Sequence, residues 1–176
     1  MDNVKLTEAE TQQLVDLMNK VTFPAPLPVF EAWCRVFGAA CAEVAVVRQG
    51  EAGPELFLVY REDKFFKGWH IPGCIHMPHQ EFDLTLKRVL DNEIKMDTET
   101  PVFFDWFERP YGHQNGHSAR GHEFSFVYTA YLKGEARENE NEKFFPFHKL
   151  PEDIMHHQIP IVDKLAKYFS SDEAKQ

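Results

Sequence analysis

Residues 68–96 read GWHIPGCIHMPHQEFDLTLKRVLDNEIKM. The Pro72-Gly73 pair marks a turn. From Phe82 to Ile94 the apolar residues Leu86, Val89, Leu90 and Ile94 recur at three- and four-residue intervals, which predicts a helix with one face in the core. Arg88, Asn92 and Glu93 ride on that helix, a set poorer in acids than a metal-dependent hydrolase site would hold.

Around this segment the pattern alternates between strands and helices. Leu6, Leu14, Leu17 and Met18 form a helical stripe over residues 6–20, with Thr7, Glu8 and Glu10 at its start as helix N-termini prefer. PAPLP at 24–28 ends it, and VFEAWCRVFG forms a second short helix or leads directly into a strand. CAEVAVVR (41–48) and ELFLVY (55–60) read as a hairpin joined through QGEAGP. VFFDWFE and HEFSFVYTAYL, within 101–108 and 122–132, read as long strands flanking the exposed loop RPYGHQNGHSARG. KFFPF reads as a short strand, and the terminal LPEDIMHHQIPIVDKLAKYF as a helix broken around Pro160. This order predicts an α+β fold, an α/β/α sandwich around a mixed sheet.

Composition narrows the function classes. A chain of 176 residues with 43% hydrophobic and 27% charged residues has the size and make-up of one globular domain. We expect a single domain over 1–176 with an N-terminal helical extension at about 1–37. A net charge of -9 argues against a broad nucleic-acid surface, because phosphate backbones are met by basic faces. Cys34, Cys41 and Cys74 form no CxxC pair, and no stretch reads as a signal peptide or membrane span, so a reducing, cytoplasmic setting is expected.

With these residues in hand, the segment Gly68–Met96 resembles the signature box of the Nudix hydrolase superfamily. Aligned on Arg88, the family's spacing puts Cys74 at the first glycine and Gln80 at the first glutamate, while Arg88, Leu90, Glu93 and Met96 match the pattern. GWHIPG resembles the family's lead-in. Val89 and Asn92 stand where the family has metal-binding glutamates, and Lys95 replaces the final glycine. The resemblance covers roughly residues 38–169.

It implies hydrolysis of a phosphoanhydride in a nucleoside diphosphate derivative, assisted by Mg²⁺ or Mn²⁺. Glu93 would be the retained ligand, Arg88 would orient it, and Glu81 and Asn92 are the supplementary metal candidates. Some members carry the general base on a loop outside the box, which points to His113, His117 or Glu123. Phe65, Trp69, Phe107 and Tyr111 flank the expected cleft, with Trp69, Phe107 and Tyr111 the candidates for stacking on a base, against core packing as the ordinary fate of aromatics. The other reading is a catalytically silent module of the same fold that binds a nucleotide-like ligand or a protein partner, and a third is a dimerising protein using its first helix.

Overall fold

The computed structural model describes residues 5–22 and 24–170; positions 1–4, 23 and 171–176 of the expected domain lie outside the described residues. Its centre is a seven-stranded mixed sheet. Strands β1 (Ala39–Gly50), β2 (Gly53–Glu62), β3 (Lys67–His70), β5 (Val102–Arg109) and β6 (Glu123–Tyr131) run in the order β3-β2-β1-β6-β5. The pairing of β1 with β6 is parallel, and their registers to other strands are antiparallel. Strand β4 (Gly73–Ile75) joins β1, and β7 (Glu142–Pro146) joins β2.

The expected hairpin is β1–β2, with Gly50 opposite Gly53 at its turn. Because side chains alternate across a strand, β1 feeds two cores. Ala45 and Val47 pack with Leu56, Leu58, Ile71 and helix α4 (Ile159–Ser170) on one face. Ala42, Val44 and Val46 pack with Phe57, Phe144, Val89 and Ile94 on the other. Helices on both faces complete the α/β/α sandwich.

The box helix departs from a single regular element. It is α-helical over Phe82–Arg88 (α3) and then widens into a π-helical turn, Val89–Ile94, closed by Lys95 N–H donating to the Leu90 carbonyl at 2.8 Å. The predicted stripe is correct in its faces: Val89 and Ile94 are fully enclosed, and Leu86 and Leu90 pack beside them.

Helix α1 (Glu8–Met18) forms with a capping box between Thr7 and Glu10, but its stripe buries nothing: Leu14, Leu17 and Met18 face outward. Of VFEAWCRVFG, the residues up to Val36 lie in helix α2 (Leu27–Val36), the helical one of its two readings, and Phe37 turns to extended backbone. The terminal helix begins only at Ile159. Pro160 sits in its first turn, where the missing N–H costs nothing, and the preceding LPEDI segment is a turn whose Ile154 bridges Trp69. No helix among the described residues is long and apolar enough to cross a membrane.

Candidate functional site

The site grows from a close approach of two backbones. Gly73, the glycine of the Pro-Gly turn, lies opposite Glu43, and a Cβ there would fall 2.6 Å from Glu43 Cγ. Only glycine lets β4 lie this near β1. The consequence is an acid held inside the fold, since Glu43 stands between Ala42 and Val44 in the middle of an apolar strand and is 5% exposed.

Buried charge requires partners. Glu43 Oε1 accepts from Arg109 Nη1 at 3.0 Å and from Gln158 Nε2 at 2.7 Å, and its Oε2 accepts from Ser125 Oγ at 2.7 Å. Arg109 also lies 3.5 Å from Glu123, which in turn accepts from Arg120 Nε at 2.8 Å. Burial opposes the charge on Arg109 and Arg120, but the adjacent carboxylates outweigh it and push both guanidinium pKa values up. Both stay cationic.

This network forms the floor of a cavity of about 420 Å³. Its walls bring Arg61 and Arg88 to join Arg109 and Arg120, with Glu43 and Glu123 as the carboxylates; Leu27 and Phe30 of α2 and Phe66 supply apolar surface. The Arg120 guanidinium lies 5.7 Å from the Phe30 ring centre and 5.5 Å from that of Phe66. Helix α2 is held in place by Lys64 Nζ on Glu31 at 2.6 Å and by His122 N–H donating to the Cys34 carbonyl at 3.1 Å.

Two histidines in the cavity are neutral. Burial lowers His70 to about 4, against the opposing pull of the Ile71 carbonyl and Glu43. Burial, with Arg109 beside it, lowers His157 to about 2. Among the described residues, four buried polar atoms at this site have no hydrogen-bond partner: Arg88 Nε, Arg109 Nε, His157 Nδ1 and Gln158 Oε1. Such orphans are costly unless a water or ligand meets them.

The sequence-expected residues divide sharply. Arg88 lines the cavity. It donates through Nη2 to the Ile75 carbonyl at 3.0 Å and Thr85 Oγ1 at 3.3 Å, and no ion pair joins it to Glu93 among the described residues. Glu93 is half-buried; Glu81 and Asn92 are exposed, Glu81 capping α3 without a side-chain bond. Trp69 is a core residue packed edge-on to Tyr60 and Phe145, and Phe107 packs against the same cluster. Tyr111 and His113 are exposed on the long loop, where their rings meet, and His117 turns back onto the Tyr111 carbonyl at 3.4 Å. None of these six aromatic, histidine and acidic positions (Trp69, Phe107, Tyr111, His113, His117, Glu93) is part of the cavity wall.

Glu123, the remaining loop-side base candidate, does line the cavity, but as the shared partner of Arg109 and Arg120. Arg61, Glu43, Arg109, Arg120 and His157 were not singled out from the sequence. One signal was available: a glutamate in CAEVAVV has no solvent-facing reason to interrupt an apolar run.

The donors at the box do not fit the divalent ion that the resemblance implies. Val89 is enclosed in the core, Asn92 is an amide, and no group of three or more His, Cys, Asp or Glu side chains suited to a metal exists among the described residues. One carboxylate holds Mg²⁺ weakly, since that ion demands hard anionic oxygens.

Comparison with known proteins identifies the fold family. The NUDIX domain profile matches residues 40–165. The chain is similar to the NUDIX domain of Shewanella oneidensis NrtR, solved with ADP ribose, at TM-score 0.58 and 14% identity over 92% of this chain and 98% of that one. It is also similar to a mutT/nudix family protein from Listeria innocua, at TM-score 0.61 and 14% identity over 78% and 98%, and to the C. elegans Ap4A hydrolase, at 0.58 and 12% over 77% and 100%. No curated protein matches. With the profile spanning most of the chain and the sandwich, lead-in turn and box helix in the expected order, this protein belongs to the NUDIX domain family.

Proposed function

We propose that this chain is a Nudix-fold module that binds a nucleotide-like ligand carrying a diphosphate in the cavity beneath α2. The observation that carries this reading is the charge of the wall: Arg61, Arg88, Arg109 and Arg120 against Glu43 and Glu123, a formal surplus of two positive charges (four minus two) in a chain of net charge -9. Guanidinium groups match phosphate oxygens in a planar fork. Phe30, half-buried near Arg120, offers a ring on which a base can stack, while Phe66 is buried against Arg61 and His157 and backs the cavity. The ADP ribose in the NrtR domain of the same fold supports this class of ligand.

Calorimetry with ADP ribose and other nucleoside diphosphate derivatives tests the proposal. Binding should appear with a dissociation constant in roughly the micromolar range, and Arg120→Ala should weaken it by about tenfold or more. No heat across the panel, with the fold intact, would overturn it.

Family membership favours a second reading, hydrolysis of a phosphoanhydride in such a ligand. Glu93, the one box carboxylate in place, is the residue on which it depends, with His113 or His117 as its loop base. Release of phosphate or a nucleoside monophosphate in Mg²⁺ or Mn²⁺, abolished by Glu93→Gln, would put hydrolysis ahead of binding alone.

A further inference from the structure

We propose that the box of this chain has reversed the sign of what it attracts: Arg88 meets a phosphate oxygen directly, and the diphosphate is held without a divalent cation. The inference rests on the ligand-binding reading above. Among the four guanidinium groups of the cavity, Arg109 is flanked by Glu43 and Glu123, Arg120 shares Glu123, and Arg61 pairs with Asp63. Arg88 differs. Its partners are two neutral oxygens, those of Ile75 and Thr85, and among the described residues its buried Nε has nothing to donate to and no carboxylate pairs with it.

A guanidinium without a counter-charge, set partly out of water, is an anion site in waiting. The same two positions explain why the counter-charge is missing. Asn92, four places beyond Arg88 and about one turn on, is uncharged, and Val89, the next residue and about 100° round the helix, turns into the core. A dication placed beside Arg88 would face repulsion from it and find Glu93 alone in support. A phosphate placed there would meet a cavity-lining guanidinium that no carboxylate neutralises among the described residues. His157 adds an independent pointer, a 6% exposed imidazole lining the same cavity, its Nδ1 unpartnered among the described residues.

The test is calorimetric titration of the full chain with ADP ribose, and separately with inorganic pyrophosphate, in EDTA and in MgCl₂. The ADP ribose dissociation constant in EDTA should lie within about threefold of that in Mg²⁺, and Arg88→Gln should weaken binding in EDTA by about tenfold or more, with Arg88→Lys intermediate. Asn92→Glu, at an exposed position, gives Arg88 a carboxylate one turn away and should likewise weaken binding in EDTA; it decides the matter if Arg88→Gln fails to fold. Binding that requires Mg²⁺, or that survives both substitutions unchanged, overturns the inference and leaves the ligand-binding reading standing. Absence of binding in both buffers overturns both.

Discussion

Arg109 Nη1 donates to Glu43 Oε1 at 3.0 Å, joining the last residue of β5 to the fifth residue of β1 inside the protein, with both side chains almost wholly enclosed. The pair is the floor of the cavity and also a structural risk, because either member alone is a buried charge. Arg109→Met should therefore destabilise the domain by about 3–5 kcal/mol, read from urea denaturation, since Glu43 and Glu123 lose their common partner. A change below about 1 kcal/mol would show that water reaches these carboxylates freely.

Acid should weaken the fold through its buried histidines. His157 is held at about 2 and His70 at about 4, from the ordinary 6.5, chiefly because burial disfavours the imidazolium. The unfolded chain therefore binds these protons near 6.5 while the folded chain refuses them, so stability rises with pH throughout that interval. It is fully present above 6.5 and declines as pH falls, His70 ceasing to contribute below about 4 and His157 only near 2. At about 1.4 kcal/mol per pKa unit, the loss should reach a few kcal/mol by about pH 4.5. Urea midpoints at several pH values measure it; His157→Gln should flatten the slope, and an unchanged slope would place the titration elsewhere.

Two apolar stripes that look alike in sequence should behave differently. Ile94 is enclosed beside Val89, so Ile94→Ala should cost about 2–5 kcal/mol. Leu14 in α1 is exposed, so Leu14→Ser should stay within about 0.5 kcal/mol of the parent protein. Similar losses for both would mean that α1 is covered in solution, as a dimer through that helix would require.

Lys95 closes the box helix at φ 55, in the left-handed region, at the position where the family pattern has glycine. A side chain there costs about 1 kcal/mol. Lys95→Gly should therefore stabilise the protein by about that amount, and Lys95→Val should destabilise it. Thermal denaturation of the pair decides; a destabilised Lys95→Gly would show that the lysine side chain makes up for its backbone.

The legible parts of the fold were those with long periodic runs. The β1–β2 hairpin and the Leu86, Val89, Leu90, Ile94 face could be read because each repeats its signal several times. Strands β3 and β4 could not, since KGWH and GCI are too short to show alternation and are defined by their partners. Helix α1 formed where its cap predicted, but a stripe says only that a face is apolar, not that anything covers it. The site was less visible still. Arg88 was found through the box, whereas Glu43 and Arg109 meet across 66 positions of chain and each alone looks like a strand charge. The loop histidines drew attention by number, yet their loop is pinned by Gly116 N–H on the His156 carbonyl at 2.9 Å and keeps His113 outside the cavity wall.

A crystal structure of the full chain with ADP ribose measures directly where the ligand sits. Binding in the cavity should give diphosphate density against Arg88 and Arg120, the base near Phe30, and no ion peak between Glu93 and the phosphates. Density along the outer face of the box helix at Glu81, Asn92 and Glu93, bridged to those side chains by a metal ion, would contradict it.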